Sequence, residues 1–174
     1  MEKVTINKSI RLSETLASPS EAALGHLSEL NGSRLSPHFS LGEVTKSSHT
    51  EINNIPSHVA IENLKRVCIW LEMLRGRMGP IIINSGYRSP ELNKKVGGAP
   101  TSNHLTGCAV DIRVAGIEQA MRYAVILMDY ADETKQDYDE LLIERSPQGN
   151  YWLHFAVRPK DNRRKTTFIL MHNA

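Results

Sequence analysis

Only two cysteines, Cys68 and Cys108, occur among the 174 residues. That is too few for a disulfide framework, and each lies in an apolar context, so both are expected as buried free thiols. No apolar run is long enough to span a bilayer. The opening stretch Met1–Lys8 lacks the apolar core and small residues of a secretory signal, so export by another route is the expectation if the substrate lies outside the membrane. There is no repeat, low-complexity tract or nucleic-acid-binding motif. The formal charge is only +2, and the richest basic run, Arg158–Lys165, reads as a solvated loop. A membrane span, a disulfide scaffold and a nucleic-acid partner are all set aside on these grounds, and a monomer is expected.

What remains has the length and composition of one globular domain. The expected organisation is an N-terminal arm over residues 1–33, containing a short helix over Ser20–Leu30, a domain over 34–170 and a tail over 171–174. Phe39, Leu41 and Val44 should dock on the core, with Ser36 or Ser40 capping a turn; His38 and His49 read as surface residues. Ser57 is a good helix N-cap. Behind it Ala60, Ile61, Leu64, Val67, Cys68, Leu71 and Leu74 recur at helical spacing, until Gly76 and Gly79-Pro80 end the helix.

Ile81–Asn84 reads as a short buried strand and Asn93–Pro100 as loop or a frayed turn, its paired glycines letting backbone approach a ligand. A second helix over Gly116–Ala131 should bury Ile117, Met121, Ala124, Val125 and Met128. Glu140–Glu144 and Tyr151–Val157 form an antiparallel pair in this reading, with Thr166–Leu170 as an edge strand.

Chemistry concentrates in Thr101–Arg113. Gly107 allows the chain to leave a loop holding His104, and Cys108–Val114 then forms a strand on which Asp111 shares a face with Ala109 and turns away from Cys108. Imidazole nitrogen and carboxylate oxygen both suit zinc, whose catalytic sites use three protein ligands and leave one position open. If Arg145 pairs with Tyr151, Glu144 faces Trp152 and Leu142 faces His154. Glu144 is then a diagonal neighbour of His154, roughly 7–8 Å away, and a one-residue slip would turn it to the opposite face.

Three motifs in order, Ser-Gly-Tyr-Arg-Ser at 85–89, Ser-x-His with six residues before Asp at 102–111, and Trp-x-His at 152–154, resemble the zinc D-alanyl-D-alanine carboxypeptidases, whose fold is shared with the hedgehog signalling domain. The resemblance spans about Ser36 to Val157. It implies an α+β domain with a small central antiparallel sheet flanked by helices, one zinc ion held by His104, Asp111 and His154, and a peptidoglycan peptide as substrate. Glu144 is the expected general base, with Asp139 and Glu140 as fallbacks. The dipeptidase branch carries its base as Glu-x-x-His, whereas Tyr151 stands three residues before His154 here. Arg88 is expected to bind a substrate carboxylate or stabilise the oxyanion. Ser102 and Asn103 should touch ligand or orient His104, and Tyr87 and Trp152 should form the site wall. A catalytically silent wall-peptide-binding module and a D-Ala-D-Ala dipeptidase are the rival readings.

Overall fold

The computed structural model describes residues 32–171. Most of the expected arm, its Ser20–Leu30 helix and the last three residues lie outside that range. Among the described residues, four helices and a five-stranded sheet form an α+β fold: α1 Leu41–Thr45, α2 His58–Met78, β1 Ile83–Ser85, α3 Pro90–Lys95, a 3-10 turn at Asn103–Thr106, β2 Ala109–Arg113, α4 Ile117–Thr134, β3 Glu140–Arg145, β4 Tyr151–Ala156 and β5 Lys165–Met171. Strand order is β1-β2-β4-β3-β5. The first four strands are antiparallel, as expected, but β5 joins β3 in parallel at the edge, so the sheet is mixed.

Local chemistry explains the helix starts. Ser40, Ser57 and Ser89 each adopt extended backbone and accept a hydrogen bond from the third residue onward, satisfying an N–H that the helix itself leaves unpaired. The third cap corrects the loop expected over 93–100: Pro90 pre-sets the first helical φ and Glu91 favours the positive end, so a short helix forms before the glycines. Helix α2 passes through Gly76 and ends at Met78, where Gly79 N–H donates to the Arg75 carbonyl.

Alternation divides the sheet into two faces. Val110 and Ile112 of β2, Leu141 and Ile143 of β3, and Leu153 and Phe155 of β4 join Val67, Trp70 and Leu71 of α2 and Tyr123 and Leu127 of α4 in the main core. Each such side chain removed from water contributes about 1.5–3 kcal/mol. Cys68 and Cys108 are buried free thiols, and burial pushes the Cys68 thiol up to about 12.

Helix α4 is rotated from its expected phase. Ala120, Tyr123, Ala124, Leu127 and Ala131 face inward, while Met121 and Val125 are 49% and 48% exposed. The alanines let the helix lie close to α2 and the sheet, a gain in contact that a hydrophobicity count undervalues. Leu41, Val44, Ala60, Leu64 and Tyr87 make a second, smaller core.

Candidate metal centre

The opposite face of the sheet gathers the ionisable groups. Strand pairing sets Asp111 beside His154 and His154 beside Leu142, and Glu144 lies across from Trp152 with Arg145 across from Tyr151, the expected register. His104 arrives from the 3-10 turn. Gly107 closes that turn at φ 72°, and a Cβ there would stand 2.4 Å from the Ala60 carbonyl oxygen, so position 107 excludes a side chain on both counts.

Asp111 Oδ1 is the hub. It lies 2.9 Å from His154 Nδ1 and 3.2 Å from His104 Nε2, and one candidate ligand atom from each of the three residues falls within 4.8 Å of the others. All three side chains are buried. The second carboxylate oxygen, Oδ2, accepts from Arg88 Nη2 at 2.5 Å.

Each imidazole is held from behind. His104 Nδ1 lies 2.6 Å from the Gly86 carbonyl oxygen, and His154 Nε2 lies 3.6 Å from Glu140 Oε2. Gly86 can approach because it lacks a Cβ, which would sit 2.2 Å from the Val44 carbonyl oxygen. Both imidazoles thus stand between two acceptors, whereas a neutral imidazole has one N–H to donate. A divalent cation among the inner atoms meets that deficit, and the outward contacts match the way ligating histidines are oriented by a carbonyl or carboxylate. Two nitrogens and one carboxylate oxygen also form a donor set that zinc accepts. The residues present therefore fit a zinc ion.

Electrostatics around the hub agree. Burial alone would raise the Asp111 carboxyl, but His104 and His154 outweigh it and hold the group well below the usual range. Burial likewise disfavours a charged His154, yet its hydrogen bond with Asp111 and the Glu140 carboxylate 3.6 Å away raise it to about 9. Glu140 is held down to about 2 by its bond to His154, assisted by Lys165, against burial.

The triad opens onto a cavity of about 790 Å³, whose walls include Arg88, Ser102, Glu144 and Trp152. Ser102 accepts the His104 N–H at 3.3 Å. Arg88 is more constrained than expected: its Nε donates to Ser85 Oγ at 2.9 Å, and its backbone N–H donates to the His104 carbonyl. Tyr87 is not on the cavity wall. Its ring belongs to the second core, and its backbone N–H is tied to the Val44 carbonyl.

Two expectations change sharply. Asp139, a fallback base, is completely buried and gripped by Arg163, Arg158 and Asn103, which hold its carboxyl low despite the cost of burial. The basic run is correspondingly not a free loop: Arg158, Arg163 and Lys165 border the cavity and pair with Asp139 and Glu140. Asn103 links these groups, donating to Asp139 at 2.7 Å and Glu140 at 2.9 Å while accepting from Arg158 Nε. Asn54, overlooked in the sequence, bonds the backbone of Thr45, Tyr87 and Ser89 and so fixes the turn that carries Arg88. No periodic or motif signal marks it.

A buried His-Asp-His cluster at the mouth of an open cavity, carried on a mixed sheet and the 3-10 turn beside it, is a site that could hold a metal ion. The chain belongs to the peptidase M15 family, matching it over residues 37–136. The family is zinc-dependent, which agrees with the donor set found here. The matched stretch contains Arg88, His104 and Asp111; Glu144 and His154 lie beyond it and reach the site through the β2–β4 and β3–β4 ladders. No curated protein matches the chain. Among the described residues, no helix is long and apolar enough to cross a membrane.

Proposed function

We propose that this chain is a zinc-dependent peptidase hydrolysing a bond that involves a D-amino acid in peptidoglycan stem peptides, with His104, Asp111 and His154 holding the ion. The observation that carries this reading is the convergence of the His104 and His154 imidazoles on the Asp111 carboxylate, at the rim of a cavity that Glu144 also lines. The substrate assignment rests on the likeness of residues 85–89, 102–111 and 152–154 to D-alanyl-D-alanine carboxypeptidases. When bound, zinc polarises a carbonyl and acidifies water to near neutrality.

Glu144 is the general base in this scheme, taking a proton from the attacking water and delivering it to the leaving amine. Asp139 is enclosed by two arginines, and Glu140 is occupied by His154, Asn103 and Lys165, a set of contacts suited to orienting an imidazole. Glu144 lies on the same sheet face, one residue pair along from His154. Arg88 steadies Asp111 and presents its guanidinium at the cavity, where a carboxylate or developing oxyanion can meet it. Trp152 forms wall, Ser102 caps His104, and Tyr87 supports the Arg88 turn from the core.

The test is peptide release from purified peptidoglycan by wild type and Glu144→Gln, with bound zinc quantified. Loss of turnover by about a hundredfold or more with zinc retained is expected for a general base. Unchanged turnover would remove Glu144 from that role, and no release by wild-type protein would favour a binding module of the same fold.

A further inference from the structure

Arg158 borders the main cavity and has no part in the reaction proposed above. Its backbone is fixed just past the end of β4: Val157 N–H donates to the Cys108 carbonyl, Asn162 Oδ1 accepts the Arg158 N–H at 2.7 Å, and Asn162 Nδ2 donates to the Arg158 carbonyl at 3.1 Å. The guanidinium is fixed too, but only from behind. Its Nε donates to Asn103 Oδ1 at 2.9 Å and lies 3.0 Å from Asp139 Oδ2, and both of those side chains are buried. Neither Nη donates a hydrogen bond to a described residue, and the side chain is 33% exposed at the cavity.

Asp139 is already satisfied by another arginine. Arg163 grips it with two parallel bonds, Nε to Oδ1 at 2.8 Å and Nη2 to Oδ2 at 2.7 Å, and adds its own backbone N–H. Arg158, Arg163 and Lys165 share Asp139 and Glu140, three cations to two carboxylates, so positive charge is in excess at this end of the cavity. A guanidinium anchored through Nε with both Nη groups open presents the fork that a carboxylate takes with two bonds, and its fixed backbone lowers the cost of ordering it. Arg88 presents no such fork, because its Nε is bound to Ser85 and its Nη2 to Asp111. A run of contacts leads from Arg88 through Asp111, His154, Glu140 and Asn103 to Arg158, so two of the zinc ligands stand between the arginines along it.

We infer that Arg158 is a specificity-determining residue whose two Nη groups bind a carboxylate of the substrate peptide, one set apart from the group that meets Arg88. This inference rests on the function proposed above and adds the chemical class of the substrate, a peptide bearing a free carboxylate away from the bond that is cut. Asp139 and Asn103 are then positioning residues for Arg158, holding the fork toward the cavity from a side that no substrate reaches.

The experiment uses zinc-loaded full-length protein and a purified stem peptide in two forms, one with free carboxylates and one amidated at them. Turnover of each is measured, and equilibrium binding of each is measured by calorimetry on the Glu144→Gln form with and without the Arg158 change. Wild type should favour the carboxylate form. Arg158→Gln should raise KM for that form by about ten- to a hundredfold, with the loss falling on KM rather than kcat and the amidated form affected far less; binding should weaken in parallel. Arg158→Lys should recover part of the preference, since a point charge attracts the carboxylate without the fork. Zinc content and far-UV circular dichroism verify that each variant is folded. Equal losses for the two forms would assign Arg158 to structure alone, and a preference that survives Arg158→Gln would place the carboxylate elsewhere; either overturns the inference while the peptidase reading stands. Carboxylate-dependent binding through Arg158 without turnover by wild type would uphold the subsite and overturn the peptidase reading. Neither binding nor turnover of either form overturns both.

Discussion

The two faces of one sheet obey different rules. On the core face Val110, Ile112, Ile143, Leu153 and Phe155 are buried, apolar and satisfied by contact alone. On the other, the alternate residues of the same strands include, beside Leu142 and Trp152, the ionisable groups Asp111, Glu140, Glu144 and His154, taken largely out of water. Burial stabilises the first set and penalises the second unless every charge finds a partner. The contrast separates two jobs that share a backbone: one face holds the chain folded, the other holds charges where a cation and a substrate can use them. A change on one face should therefore be felt mainly in stability, and a change on the other mainly in metal binding or turnover.

Phe155→Ala should produce the largest shift. It packs 5.3 Å from the Trp70 ring centroid, and its truncation should cost about 3–5 kcal/mol in urea unfolding. The folded fraction should still bind one zinc; loss of zinc binding by folded protein would break the separation of faces. Glu140→Gln addresses the opposite face. Weakening the carboxylate behind His154 should lower zinc affinity by about 10–100-fold, measured by chelator competition, and the unfolding midpoint of zinc-loaded protein should fall with it by linkage. Unchanged affinity would assign Glu140 to the Arg163–Lys165 ion pairs instead.

The pH response sharpens the same contrast. In zinc-free protein His154 is raised to about 9 from the ordinary 6.5. The protonated ring therefore stabilises the fold fully below about pH 6.5, and that contribution is lost as pH rises through about 9. Unfolding midpoints of chelator-treated protein should fall across this window, while zinc affinity rises because ligation requires the neutral ring. A flat stability profile would contradict the ion-pair account. The smallest effect should come from a residue on neither face: Ser57→Ala removes the α2 cap and should cost about 1 kcal/mol, with zinc binding untouched.

The same contrast explains what the sequence made legible. Register between β3 and β4 could be read because Leu141, Ile143, Leu153 and Phe155 alternate with polar neighbours and a short Pro-Gly loop joins the strands. His104 and Asp111 could be placed together because Gly107 and strand alternation fix where their side chains point, whereas His154 was supplied by the resemblance of the Trp152–His154 motif. The phase of α4 was hidden because its inward stripe is largely alanine, while the bulkier Met121 and Val125 face outward. Arg158 and Arg163 looked like solvated charges since their partner Asp139 is distant in sequence. The parallel pairing of β5 likewise depends on a crossover that leaves no local pattern.

Calorimetric titration of zinc into metal-free wild type and His154→Ala tests the central claim most directly. The account predicts one zinc per wild-type chain and a loss of that binding in a variant whose far-UV circular dichroism is unchanged. Equal stoichiometry and affinity in the two proteins would show that these three side chains do not share an ion.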